Sequence, residues 1–123
     1  MTYKYSKSSS NKLSTCDPRL IEIMNIVIKI MDNTIVCGHR GEKAQNKAYD
    51  EGRSNAKYGQ SKHNKMPSHA VDAAPYPINW NDKERFARFA GVVEGVAYML
   101  GYKIKWGGDF TSLKDMSHFE IMY

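Results

Sequence analysis

Apolar residues fall at positions 20, 21, 23, 24, 26, 27, 28, 30 and 31. The spacing is helical but too broad for a narrow stripe, so it predicts a largely buried helix. Asp17 and Pro18 supply its start, an acidic N-cap followed by proline at the first helical position. A second helical pattern puts Phe86, Phe89, Ala90, Val93, Ala97 and Leu100 on one face. Asn81 as N-cap and Glu84 three residues later read as a capping-box variant, and Gly101 ends that helix. A modest helix is predicted over 42–51, stopped by Gly52. Four short segments read as strands: 34–37, 70–74, 102–106 and 118–123. In the last, alternation places His118, Glu120 and Met122 on one face and Phe119, Ile121 and Tyr123 on the other. Gly107 and Gly108 read as a tight turn. Residues 1–15 are polar and Ser-rich and read as an extended arm, and 53–69 read as a long loop. The sum is an α+β fold: a small, mostly antiparallel sheet with two to three helices, in one domain over 1–123.

Composition narrows the classes. A chain of 123 residues with 41% hydrophobic and 25% charged residues supports one folded core. The net charge of +5 favours an anionic partner: nucleic acid, a membrane surface or an acidic polymer such as cell wall. A basic protein with no such partner is the plainer alternative. Acids are mixed along the helices, and no Lys/Arg stripe with interleaved aromatics stands out, which argues against nucleic acid. Cys16 and Cys37 form no CxxC pair, so a thiolate zinc finger is excluded; they read as reduced, partly buried thiols, with a disulfide as the alternative. No apolar run is long enough to span a membrane, and the N-terminal stretch does not read as a secretory signal. Action outside a cytoplasm would need another agent to let the protein out.

The candidate chemistry lies in two separated stretches. Residues 61–77 hold His63, His69 and Asp72, and 115–120 hold Asp115, His118 and Glu120. Two imidazoles and a carboxylate make a catalytic zinc shell with one position left for water. The same shell also suits ferrous iron. His63, Asp72 and His118 are the candidate ligands, with His69 as the rival of His63. Asp115 precedes His118 by three residues, so it can reach across a turn as a general base. Glu120 is the rival base, or a strand residue that orients a ligand. Arg40, after a strand, could hold a substrate carboxylate or an oxyanion, or be a plain ion-paired arginine.

Several landmarks recur in a fixed order: Gly38, His39 and Arg40 with Gln45; Ser61 and His63; Pro67, Ser68, Ala70, Val71 and Asp72 with Ala74 to Pro77; Trp106 to Phe110; and Asp115, His118, Phe119 and Glu120. In this order the chain resembles the zinc D-alanyl-D-alanine carboxypeptidase and L-alanyl-D-glutamate endopeptidase family, in its single-domain bacteriophage endolysin branch. The resemblance implies the small α+β zinc peptidase fold shared with the Hedgehog signalling domain. It implies one zinc ion on His63, Asp72 and His118, with Asp115 as base and Arg40 as a substrate or transition-state contact. Ser61, Gln45 and Glu120 would be substrate contacts or supports of the ligands. The implied substrate is the peptidoglycan stem peptide, cut at the L-alanyl-D-glutamate bond. The implied setting is a monomer made in the host cytoplasm that reaches the periplasmic wall after a membrane-permeabilising partner, a holin, has acted. Two departures stand out. His63 lies nine residues before Asp72, further than the commonest family spacing. Many carboxypeptidase members carry glutamate where this chain has Asp115, which tilts the bond choice toward the endopeptidases. A D-Ala-D-Ala carboxypeptidase and a non-catalytic zinc module remain the alternatives.

Overall fold

The computed structural model describes residues 3–111 and 114–122. Among them are four α-helices: α1 (Lys7–Leu13), α2 (Pro18–Ile30), α3 (Glu42–Asp50) and α4 (Lys83–Leu100). The strands are β1 (Asn33–Cys37), β2 (Ala70–Pro75), β3 (Ile104–Trp106) and β4 (His118–Ile121). They form one sheet in the order β1-β2-β4-β3, with every neighbouring pair antiparallel. Two 3-10 turns, Lys62–Asn64 and Gly107–Asp109, flank the sheet. The expectation for Tyr123 falls outside the described residues.

Alternation gives the sheet two different faces. Ile35, Val71, Ala73, Phe119 and Ile121 are buried in the core against Leu20, Ile23, Met24 and Val27 of α2 and Phe89, Ala90 and Val93 of α4. Phe89 and Phe119 meet edge to face with ring centroids 5.9 Å apart, a favoured aromatic geometry. Asp72, His118 and Glu120 alternate with these residues and so lie on the opposite face. Polar chemistry is thereby kept apart from the apolar packing that holds the sheet in place.

Three expectations are corrected. The extended arm expected over 1–15 is replaced, within the described residues, by α1 at 7–13, capped by Ser6, whose side chain accepts from the Ser9 N–H. The reason lies in β1, an edge strand whose outward backbone groups need partners. Ser9 is buried, and its Oγ accepts from the Ile35 N–H at 3.1 Å. The helix after Pro18 is less buried than its composition suggests. It buries Leu20, Ile23, Met24, Val27 and Ile28, whereas Ile30 is 57% exposed. Finally, α4 is capped by Asp82, which accepts from the Arg85 N–H, and not by Asn81.

Candidate metal centre

Three side chains lie on a single rung of the sheet. Asp72 in β2 pairs with Cys37 of β1 on one side and His118 of β4 on the other. Paired residues project to the same face. The Cys37 position depends on an irregularity in β1. Ile35 opposes Ala73, so regular alternation would set Val36 opposite Asp72, but the register shifts and Cys37 takes that place. A bulge of one extra residue re-aims a side chain in this way.

His63 reaches the rung from outside the sheet. Ser61 caps its turn, accepting from the His63 N–H at 3.2 Å, and Asn64 Oδ1 accepts from the Ser61 N–H at 3.1 Å. The turn is tied to the segment after β1, where the Arg40 N–H donates to the His63 carbonyl at 2.8 Å. The His63 Nδ1–H donates to the Gly38 carbonyl at 2.7 Å. A carbonyl only accepts, so this bond assigns the proton to Nδ1 and leaves the Nε2 lone pair free. On the other ligand candidate, the His118 Nε2–H donates to Glu120 Oε1 at 2.8 Å, leaving Nδ1 free. Lys62 Nζ in turn lies 3.0 Å from Glu120 Oε2.

The three free donors form a near-equilateral triangle. His63 Nε2 is 3.1 Å from Asp72 Oδ1 and 3.2 Å from His118 Nδ1, and His118 Nδ1 is 3.2 Å from Asp72 Oδ1. A tetrahedral ion with bonds of about 2.0–2.1 Å holds neighbouring donors about 3.3 Å apart. The triangle therefore has the edge lengths that one such ion requires, and both imidazoles are oriented by an outer partner as metal-binding histidines are.

Burial opposes charge on all these groups, and their mutual attraction outweighs it. Desolvation pushes the Asp72 carboxyl up, but His63 and His118 hold it far below the usual carboxylate range. Burial pulls the His63 imidazolium down, yet Asp72 raises it to about 10. His118 is raised against burial by Asp72 and Glu120. Burial raises Glu120, but its bonds to His118 and Lys62 bring it to about 2. Without a cation, protons on the imidazoles neutralise Asp72; a bound divalent ion has to displace them. In the metal-free protein, the His63 contribution to stability is complete below its ordinary 6.5 and fades as pH rises through about 10. The Asp72 contribution has the other sign, present above 3.8 and lost as pH falls below it. Chelated protein is therefore expected to melt at a lower temperature at about pH 9 than at about pH 6. Equal melting temperatures would show that the imidazolium–carboxylate contact does not stabilise the fold.

Asp115 stands beside the triangle. One oxygen each of Asp72 and Asp115 and one nitrogen of His118 all lie within 4.8 Å of one another. Asp115 is half-buried, and burial with the neighbouring Asp72 charge lifts its carboxyl above the usual range. The Ser117 hydroxyl donates to Asp115 Oδ1 at 3.2 Å. The backbone is fixed as well, with the Asp115 N–H donating to the Gly107 carbonyl at 3.0 Å. Gly107 is needed there for space. A Cβ on it would collide with the Asp115 carbonyl oxygen and sit 2.8 Å from His118 Cβ. Gly107→Ala is expected to cost about 1–3 kcal/mol of stability through overpacking and to lower turnover by displacing Asp115 and His118 together. Wild-type melting and turnover in that variant would rule out the close fit.

The other predicted residues fall into place around this centre. Arg40 Nη2 lies 3.5 Å from Asp72 Oδ2, and its Nη1–H donates to Gln45 Oε1 at 3.1 Å. Gln45 is fully buried and ties the surroundings together. Its Oε1 also accepts from Asn64 Nδ2, and its Nε2 donates to the Ser54 hydroxyl and the Ala56 carbonyl. Gln45 and Ser61 thus hold Arg40 and the His63 turn in place, and Glu120 orients His118. His69 lies just before β2, and neither grouped donor set among the described residues includes it. Cys37, Lys62 and Asn64 were missed in the sequence. Lys62 and Asn64 flank His63 and could have been suspected as its supports, whereas nothing local marks the bulge that delivers Cys37.

The chain thus presents grouped candidate metal donors from Cys37, His63, Asp72, Asp115 and His118. Two imidazole nitrogens and a carboxylate oxygen are the three protein donors that a tetrahedral catalytic ion takes. The model of the phage L-alanyl-D-glutamate peptidase family matches residues 1–121. The chain is 34% identical over 128 residues to the L-alanyl-D-glutamate peptidase of Escherichia phage T5, covering 98% of this chain and 90% of that protein. Its fold is similar to that of the L-Ala D-Glu endopeptidase ChiX of Serratia marcescens, with a TM-score of 0.82, 24% identity, and 97% and 90% of the two chains covered. The match over residues 1–121, together with 34% identity to the phage T5 peptidase across 98% of this chain, places the protein in the phage L-alanyl-D-glutamate peptidase family.

Proposed function

We propose that this peptidase is zinc-dependent and hydrolyses the L-alanyl-D-glutamate bond of the peptidoglycan stem peptide. The observation that carries the metal reading is the triangle of His63, Asp72 and His118 donors with edges of 3.1–3.2 Å. Family membership supports the choice of bond. When bound, zinc would acidify water to near neutrality and polarise the scissile carbonyl. Asp115, lifted by burial and by Asp72, accepts the proton of the attacking water and returns it to the leaving amine. Arg40 is held by Gln45 beside Asp72, where its second nitrogen offers donors to a developing oxyanion or a substrate carboxylate. Glu120 keeps His118 in one tautomer, and Gly38 does the same for His63. No helix among the described residues is long and apolar enough to cross a membrane. Access to the wall is assigned to a membrane-permeabilising partner, with synthesis in the host cytoplasm and action as a monomer.

The test is digestion of purified peptidoglycan with the zinc-loaded protein, followed by mass spectrometry of the products. New alanine carboxyl ends and glutamate amino ends are expected. Release of single D-alanine would make the protein a carboxypeptidase, and intact peptides would sink the proposal.

A further inference from the structure

Cys37 takes no part in the mechanism above, yet it stands on the rung that carries Asp72 and His118. Its Sγ, one nitrogen of His63 and one oxygen of Asp72 all lie within 4.8 Å of one another. The register shift in β1 puts this side chain there in place of Val36. Arg40 Nη2 lies 3.7 Å from the sulfur and 3.5 Å from Asp72 Oδ2, so a cation already faces both groups.

We propose that Cys37, His63 and Asp72 form a second, thiolate-containing seat for a thiophilic divalent ion such as cadmium, exclusive of the catalytic ion. A thiolate is a soft donor and selects soft or borderline ions, whereas carboxylate and imidazole alone discriminate less. His63 and Asp72 belong to both donor sets, so an ion in one seat excludes an ion in the other. Occupation of the thiolate seat needs no redox step: the Cys37 S–H bond breaks, its proton goes to solvent, and a sulfur–metal bond forms. The incoming charge displaces the Arg40 guanidinium from the sulfur. An ion drawn to this side leaves His118 and Asp115 without the arrangement that hydrolysis requires, so thiophilic ions inhibit. The proposal rests on the reading of His63 and Asp72 as metal ligands.

The experiment titrates metal-free full-length protein with cadmium alone, and separately with zinc alone, by calorimetry and near-ultraviolet absorption. Wild type is expected to develop a sulfur-to-cadmium charge-transfer band that saturates at one equivalent. Cys16→Ser is expected to keep the band, since Cys16 is buried with its sulfur facing the Lys12 and Ala70 carbonyls. Cys37→Ser and Cys37→Ala are expected to lose the band and to bind cadmium about tenfold or more weakly, with zinc affinity changed far less. Cadmium binding to wild type without the band, or a band that survives in both Cys37 variants, would overturn the thiolate seat and leave the zinc centre standing. Failure of both ions to bind wild type would remove the zinc centre and the thiolate seat together.

Discussion

His118→Ala is expected to lose bound metal and hydrolysis in one step. His118 supplies one corner of the donor triangle, 3.2 Å from each of its neighbours. Two donors of the catalytic set remain after the substitution, and a catalytic ion of this type needs three from the protein; an ion held with Cys37 instead would sit where hydrolysis is not supported. The loss is deeper than one bond, because His118 also links the centre to Glu120 and through it to Lys62. Removing one partner from a buried charge cluster strands the others, at a cost of about 3–5 kcal/mol where no replacement is found. Here His63 still pairs with Asp72 at 3.1 Å, so the fold should survive while the ion does not. Metal content after dialysis, measured beside turnover, decides the point. A variant that retains one equivalent of metal and cuts peptidoglycan would exclude His118 as a ligand.

Asp115→Asn is expected to separate binding from chemistry. The amide keeps the shape and can still accept from the Ser117 hydroxyl, but it cannot take a proton from water. Loss of a positioned general base lowers turnover by about 10²–10⁴-fold. The donor triangle does not include Asp115, so metal content should be unchanged. Glu120→Gln is the control for the rival base. Glu120 is held near 2 and engaged by His118 and Lys62, which makes it a poor proton acceptor at neutral pH. Its replacement should weaken metal affinity by about 10–100-fold and spare turnover once zinc is saturating. The reverse pattern, normal turnover in Asp115→Asn and none in zinc-saturated Glu120→Gln, would transfer the base to Glu120.

Much of the architecture was legible because its causes are local. Asp17 and Pro18 mark the start of α2, and Gly101, at a φ of 81°, ends α4 in the left-handed region. Alternation in 118–121 separated His118 and Glu120 from Phe119 and Ile121, and the core is built on that division. The errors at α1 and α2 have separate, non-local origins. Seven residues, six of them polar, form α1 because an edge strand needs covering, a demand made by β1 and invisible in 7–13 themselves. The apolar excess of α2 overstated its burial because an apolar side chain can remain on the surface without penalty in specificity.

The candidate site divides along the same line. Residue types and order within the chain were enough to nominate His63, Asp72, His118 and Asp115, since metal ligation and proton transfer each accept few side chains. Distance along the chain says nothing of distance in space, so what favours His63 over His69 is the turn capped by Ser61, which brings His63 against Asp72 and His118. The supporting roles of Gln45 and Lys62 depend on contacts with Asn64 and Glu120, made between segments far apart in sequence. Cys37 reaches the rung through one slipped residue pairing. Local preferences are written residue by residue and can be read there, whereas register, parity and convergence exist only once strands have paired.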